Sequence, residues 1–202
     1  MVTIGIELNH VVRNINKQLL KYYQKAFDQE LEIDDIDDKT DVIKDVLKFD
    51  SESQKWNFMY VDYPYEIFGC ANTMEKNLGS KIVNWVASLE DYEGEDVRAI
   101  FYSLDEGELS IQSTLFFLSK VGSRVREVIF PKSIEEVYDK CDVIISARKD
   151  FFREEKREGK KCVLIKRELN KGCEANAFLS YDNLSSLFED KEFLDKITKQ
   201  NN

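Results

Sequence analysis

A chain of 202 residues, 43% hydrophobic and 12% aromatic, carries enough apolar side chain for one α/β domain, and two prolines with eight glycines leave little for long linkers. The formal net charge of −10 repels phosphate backbones and gives no attraction to anionic lipid, which argues against direct nucleic-acid or membrane binding. No apolar run approaches the ~20 residues that cross a bilayer, and the opening MVTIGIELNH, with Glu7 in its apolar stretch, lacks the basic start and small-residue cleavage site of a signal peptide. Cys70, Cys141, Cys162 and Cys173 form no CxxC pair, and the single histidine, His10, is distant in sequence; this pattern suits reduced thiols in a cytoplasmic setting rather than a zinc site.

The apolar run Val2 to Ile6 predicts a buried strand. Val11, Val12, Ile15, Leu19, Tyr22, Tyr23, Ala26 and Phe27 then keep one face of a helix apolar, with His10 opening it. Residues 28–72 change character. Asp34, Asp35, Asp37, Asp38 and Asp41 crowd together, a short helical pattern follows at 42–47, and an aromatic segment surrounds Trp56, Phe58 and Tyr60. This stretch reads as an insertion that caps the main domain. The acidic cluster lacks the glycine and closing glutamate of a calcium loop and reads as solvated.

Regular alternation resumes with a helix over 75–91 and a strand over 97–102. A helix around 113–118 ends at Gly122, and a strand spans 125–130. Ser133 is placed to cap a short helix, with Glu136 completing a capping box. A strand at 141–145, a charged helix at 149–158, a strand at 162–166 and one or two short helices after Asn183 complete the pattern. The mixed-sign run from Lys149 to Lys161 reads as a solvated helix face. Strands separated by helices imply parallel pairing through right-handed crossovers. Ligand sites in such sheets lie beyond the carboxyl ends of the strands. Those ends are Glu7 to Asn9, Ser103 to Glu106, Phe130 to Ser133, and Ser146 to Arg148.

Ile4-Gly5-Ile6-Glu7-Leu8-Asn9, Ile100-Phe101-Tyr102-Ser103, and the stretch from Ser113 through Val143-Ile144-Ile145-Ser146-Ala147 follow one another in the order of the haloacid dehalogenase (HAD) motifs. The chain resembles that superfamily over about three quarters of its length, excluding 28–72, and within it the small 5′(3′)-deoxyribonucleotidase-like proteins. The resemblance implies a three-layer Rossmann-like α/β fold with a mainly parallel sheet and a small inserted cap, all in one domain over 1–202. In the family, the first motif has a nucleophilic aspartate and an acid–base aspartate; Glu7 and Asn9 stand there. The second motif's phosphate-binding Ser or Thr corresponds to Ser103. The acidic pair that holds magnesium is replaced by Ser146 and Ala147. The third-motif lysine has no clear counterpart near Ile111 to Ser113, and Lys120 is at the far end of that helix.

Each departure has a chemical consequence. Magnesium wants oxygen ligands that usually include one or two carboxylates. The extra methylene of Glu7 displaces the attacking oxygen, and small misplacements cost about a hundredfold in rate. Asn9 cannot exchange a proton as a carboxylate does. Glu7 therefore reads first as a strand-end carboxylate satisfied by backbone N–H groups or by Arg13, His10 as a polar residue at a helix start, and Ser103 as a turn cap. No cofactor and no metal are expected.

An enzyme fold without its chemistry points to binding. The chain looks similar to degenerate HAD-like proteins of crAss-like bacteriophages found among virion and tail genes. That likeness implies a structural subunit of a tail or neck ring, in the virion and in host cytoplasm before assembly, with other virion proteins and a symmetric homo-oligomer as partners. Trp56, Phe58, Tyr60 and Tyr63 are the expected contact anchors. The alternatives are a magnesium-dependent nucleotide phosphohydrolase using Glu7, and a nucleotide-binding regulatory module retaining Ser103.

Overall fold

Period-two alternation sets the centre of the molecule. In the computed structural model, which describes residues 1–28, 42–94, 96–104, 107–152 and 157–199, Val2–Glu7 forms β1 with Ile4 and Ile6 fully buried on one face. Gly5 points to the other face. A methyl group there would come within 2.6 Å of the Cys141 sulfur, so the close approach of the following layer requires glycine.

The remaining elements follow in chain order. They are β2 (Arg13–Asn14), α1 (Asn16–Phe27), α2 (Val42–Asp45), α3 (Glu52–Asn57), two π-helical turns at Phe58–Asp62 and Tyr65–Gly69, β3 (Asn72–Thr73), α4 (Leu78–Glu90), β4 (Val97–Tyr102) and α5 (Glu108–Val121). Then come β5 (Val128–Ile129), α6 (Ile134–Lys140), β6 (Val143–Ser146), β7 (Lys161–Ile165), β8 (Leu179–Tyr181), α7 (Leu184–Glu189) and α8 (Phe193–Thr198). Six strands pair in the order β5-β4-β1-β6-β7-β8, every pair parallel. Alternate residues of each strand feed two cores. Ile6, Phe101, Ile145 and Val163 face the larger one with α1, α4 and α7, while Ile100, Ile144 and Leu164 face a smaller one with α6. These are the three layers expected from the sequence. Among the described residues no helix is long and apolar enough to cross a membrane, and all four cysteines are free.

Several expectations are corrected. The first helix starts at Asn16, not near Val11. Leu8 O accepts from both Val12 N and Arg13 N, and His10 takes a positive φ of 63°, so the chain turns tightly before α1. Val11, Val12 and Ile15 are buried, but by that turn rather than by a helix face. The edge strand β5 covers two residues of the expected six, because exposed Arg124, Arg126 and Glu127 leave it nothing to bury. Ser133 caps α6 by accepting from Glu136 N, but the Glu136 carboxylate turns to Lys132 N instead of closing the box. Of the expected charged helix at 149–158, the segment Lys149–Phe152 is a 3₁₀ turn with Phe151 and Phe152 both buried in the smaller core, where a solvated helix face would not bury two adjacent rings; residues 153–156 lie outside the described residues. The strand β8 has no counterpart in the expected pattern. The Asp34 to Asp41 cluster lies outside the described residues.

The region expected to cap the domain is bracketed by a two-stranded antiparallel ribbon, β2 with β3. The helix α1 packs with it: Tyr23 and Phe27 meet Phe49 and Phe58 ring to ring.

Candidate polar site at the strand ends

The carboxyl ends of β1, β4 and β6 bring Glu7, Ser103 and Ser146 to one edge of the sheet, as the sequence motifs imply. Glu7 pairs in register with Tyr102, and Ile6 with Ile145, so the two serines follow on either side. Glu7 is 2% exposed, and Ser103 and Ser146 are equally buried. Glu7 Oε2 accepts from Ser146 Oγ at 2.6 Å and from Ala147 N at 3.0 Å. Ser146 Oγ in turn accepts from Arg148 N at 2.9 Å. The hydroxyl thus has one defined polarity, donating to Glu7 and accepting from the next turn. Burial lifts the Glu7 carboxyl from 4.5 to about 7, against the opposing pull of the Arg148 charge and of these hydrogen bonds. Ser103 N donates to Ile129 O, which ties the end of β4 to β5.

Asn9 and Arg13 form the second half. Asn9 Oδ1 accepts from Arg13 Nε at 3.0 Å and Nη2 at 2.7 Å. Arg13 Nη1 donates to Thr114 Oγ1 at 2.7 Å and to Phe68 O at 3.4 Å. The guanidinium carbon sits 4.9 Å from the Phe68 ring centroid and 5.5 Å from that of Phe117. Arg13 is fully buried and joins the β1 loop, the second π turn and α5. Glu7 therefore takes its hydrogen bonds from a backbone N–H and a hydroxyl, while Arg13 goes to Asn9.

The sequence reading missed a third layer. Arg167 Nε donates to His10 O at 2.9 Å, and its Nη1 to Lys166 O and Asp182 O. Asn170 Nδ2 donates to Ala147 O and Ile165 O, and its Oδ1 accepts from Arg167 N. His10 does not open a helix; it sits in the turn after β1, where burial and the charges of Arg167, Arg13 and Arg148 lower its imidazole to about 4. No local signal marks Arg167 or Asn170, which lie some 160 residues beyond the motif they brace. Lys120 donates to the carbonyls of Gly69 and Ala71.

The donor set does not suit magnesium. Glu7 Oε2, Ser146 Oγ and Asn9 Oδ1 are each engaged with protein donors, and guanidinium charges stand beside them where a divalent cation needs anionic oxygen. Among the described residues no three His, Cys, Asp or Glu side chains gather as metal ligands. A cleft of about 780 Å³ opens at the opposite edge of the sheet, between Val2, Asp142, Lys161 and Phe178.

The four expected anchors separate. Trp56 is 49% exposed and Tyr60 and Tyr63 are half-buried, but Phe58, at 3%, belongs to the core with Tyr23, Phe27 and Phe49 around it. Phe58 is therefore not available at the surface of the single chain.

The fold finds a counterpart among solved structures. The chain superposes on a Burkholderia xenovorans LB400 protein, named for its likeness to haloacid dehalogenase hydrolases, with a TM-score of 0.57 and 10% identity over 96% of this chain and 98% of that one. The fold is HAD-like. At this identity the likeness shows the fold alone. No family model matches the sequence, and no curated protein matches it. On the HAD-like frame, Glu7 and Asn9 sit on the loop end of the central strand, with the ends of β4 and β6 on either side.

Proposed function

We propose that this HAD-like chain is a non-catalytic structural protein that works through protein contacts, as a tail or neck subunit of a bacteriophage virion. One observation carries the non-catalytic part. The side chains at the motif positions are closed on one another: Glu7 on Ser146 and Ala147, Asn9 on Arg13, and Arg13 on Thr114 and Phe68. A nucleophile must reach its substrate, and a carboxyl 2% exposed, lifted to about 7 and held through Oε2 by Ser146 and Ala147, is a poor one. The virion assignment draws support from the sequence likeness to degenerate phage proteins and from the exposed aromatic side chains around Trp56.

The competing reading, a magnesium-dependent nucleotide phosphohydrolase, draws on the position of Glu7 at the end of the central strand and on a titration range suited to acid–base work. Phosphate release from nucleoside monophosphates with magnesium separates the two. No turnover above background is expected. Turnover that Glu7→Gln abolishes would establish the phosphohydrolase instead.

A further inference from the structure

The cleft of about 780 Å³ at the amino ends of the strands lies across the sheet from Glu7 and takes no part in the polar site. Its volume falls within the range of about 300–1,000 Å³ common to small-molecule sites. Val2, Val143, Phe178 and Ile197 line it with apolar surface, and Tyr138, Cys162 and Asn176 add polar atoms. Its walls are tied to one another. Lys161 Nζ donates to Ile197 O at 2.7 Å and to Lys199 O at 2.8 Å, which holds the last turn of α8 against the start of β7. Phe178 N donates to Cys162 O at 2.8 Å, and Asn176 Nδ2 to Phe152 O at 3.0 Å. A cleft braced in this way is formed before anything enters it, so a ligand meets little ordering cost there.

One rim of the cleft is cationic. Lys160 N donates to Arg157 O at 3.1 Å, and Gly159 takes a φ of 76°. That is the left-handed third position of a four-residue turn, where glycine is suited. The turn brings Arg157 and Lys160 to the same rim. The Arg157 guanidinium lies 4.7 Å from the centroid of the Tyr138 ring, laid on the cleft wall rather than extended into solvent. Its Nη2 donates to Glu135 Oε1 at 3.2 Å, and Lys160 Nζ lies 3.5 Å from Asp142 Oδ1. Both carboxylates are about half exposed or more, and ion pairs so placed are weak and readily exchanged. Asp142 is also committed through Oδ2 to Thr3 N at 2.9 Å. Three cationic side chains, Arg157, Lys160 and Lys161, face two carboxylates, Asp142 and Glu158, in the cleft of a chain whose net charge is −10. Apolar walls with two cationic donors at one rim suit a ligand with a hydrocarbon body and one acid group. A carboxylate at that rim accepts charge-assisted hydrogen bonds from both donors.

We propose that this cleft binds a small organic anion with an apolar body, an aryl or alkyl monocarboxylate, whose acid group is taken by Arg157 and Lys160. The site goes beyond the structural reading and stands independently of it.

Three probes of similar shape test it on the full chain: naphthoate, neutral naphthamide and cationic naphthylmethylammonium. Amide resonances of the isotope-labelled protein report both affinity and place. Naphthoate is expected to shift the amides of Cys162, Phe178 and Ile197 saturably, with a Kd of about 1 mM or below. It should bind about tenfold tighter than the amide, and the cation should bind weakest. Arg157→Gln combined with Lys160→Gln should bring naphthoate down to the affinity of the amide and leave the amide unchanged. The spread of resonances shows whether that variant is folded. Equal affinity for the three probes, preference for the cation, or a preference for naphthoate that survives in the folded double variant would overturn the proposal. So would shifts confined to residues 56–65 and α5, or no saturation by about 10 mM.

Discussion

Two titratable groups at the end of β1, the buried Glu7 and the half-buried His10, push stability in opposite directions with pH. Glu7 has a folded value near 7 against an ordinary 4.5, so the folded chain holds a proton that the unfolded chain has released between those values. Stability from this group is present below pH 4.5 and is lost as pH rises through 7. His10, lowered to about 4 from 6.5, does the reverse: its contribution is present above 6.5 and is lost as pH falls through 4. Glu7→Gln keeps an oxygen for Ser146 and Ala147 but removes the titration. Urea unfolding should show the variant equal to the unmodified chain near pH 4.5. It should become more stable across the rise to pH 7, levelling at about 3 kcal/mol, the free energy of some two and a half pK units. Equal stabilities at pH 5 and pH 8 would mean that Arg148 holds Glu7 ionised. His10→Asn, which tolerates the positive φ, should flatten the acid limb and leave the neutral range alone.

At the scale of elements, the aromatic segment after α3 combines two roles that spacing alone does not separate. Phe58 is enclosed by four rings, whereas Trp56 touches Tyr60 and solvent. Phe58→Ala should cost about 3–5 kcal/mol of folding stability, and Trp56→Ala less than about 1 kcal/mol in the isolated chain. Thermal melting decides, and equal losses would place Trp56 in the core as well. The same ambiguity explains what was legible in the sequence. The strands β1, β4, β6 and β7 read correctly because two-sided burial gives continuous apolar runs. The start of α1 did not, because Val11, Val12 and Ile15 have helical spacing and are buried by a turn closed on Leu8 O. The Lys149 run hid its 3₁₀ turn because the surrounding charges outweigh Phe151 and Phe152 in any local count. Motif order located Glu7, Asn9, Ser103 and Ser146 on one edge, and Arg13 lies one helical turn's length from Asn9, but Thr114, Arg167 and Asn170 converge only through long-range packing.

For the whole molecule, the HAD-like frame and the polar network on it are separable: the sheet order brings the motif positions together, while the side chains there brace three loops. Restoring carboxylates tests how deep that change runs. In Glu7→Asp, Asn9→Asp and Ser146→Asp combined, the carboxylate replacing Asn9 still accepts from Arg13. The one replacing Ser146 removes the hydroxyl that donates to the first-motif carboxyl and sets a second buried carboxyl beside it. Two carboxyls in one dry site cannot both ionise cheaply. Arg148 N also loses its acceptor in the Ser146 hydroxyl. The triple variant is therefore expected to lose about 3–5 kcal/mol of folding stability, the scale of breaking a buried polar pair, and to release no phosphate from nucleoside monophosphates. Magnesium is expected to leave its melting temperature unchanged, because Arg13 and Arg148 remain beside the restored oxygens. A ligand that binds only the folded state raises that temperature by mass action, so a clear magnesium-dependent rise would show that the frame still forms a metal site once its carboxylates return. Turnover alongside it would show that those three side chains alone separate this site from a working one, and that the bracing by Arg13 and Arg167 is no barrier to the chemistry.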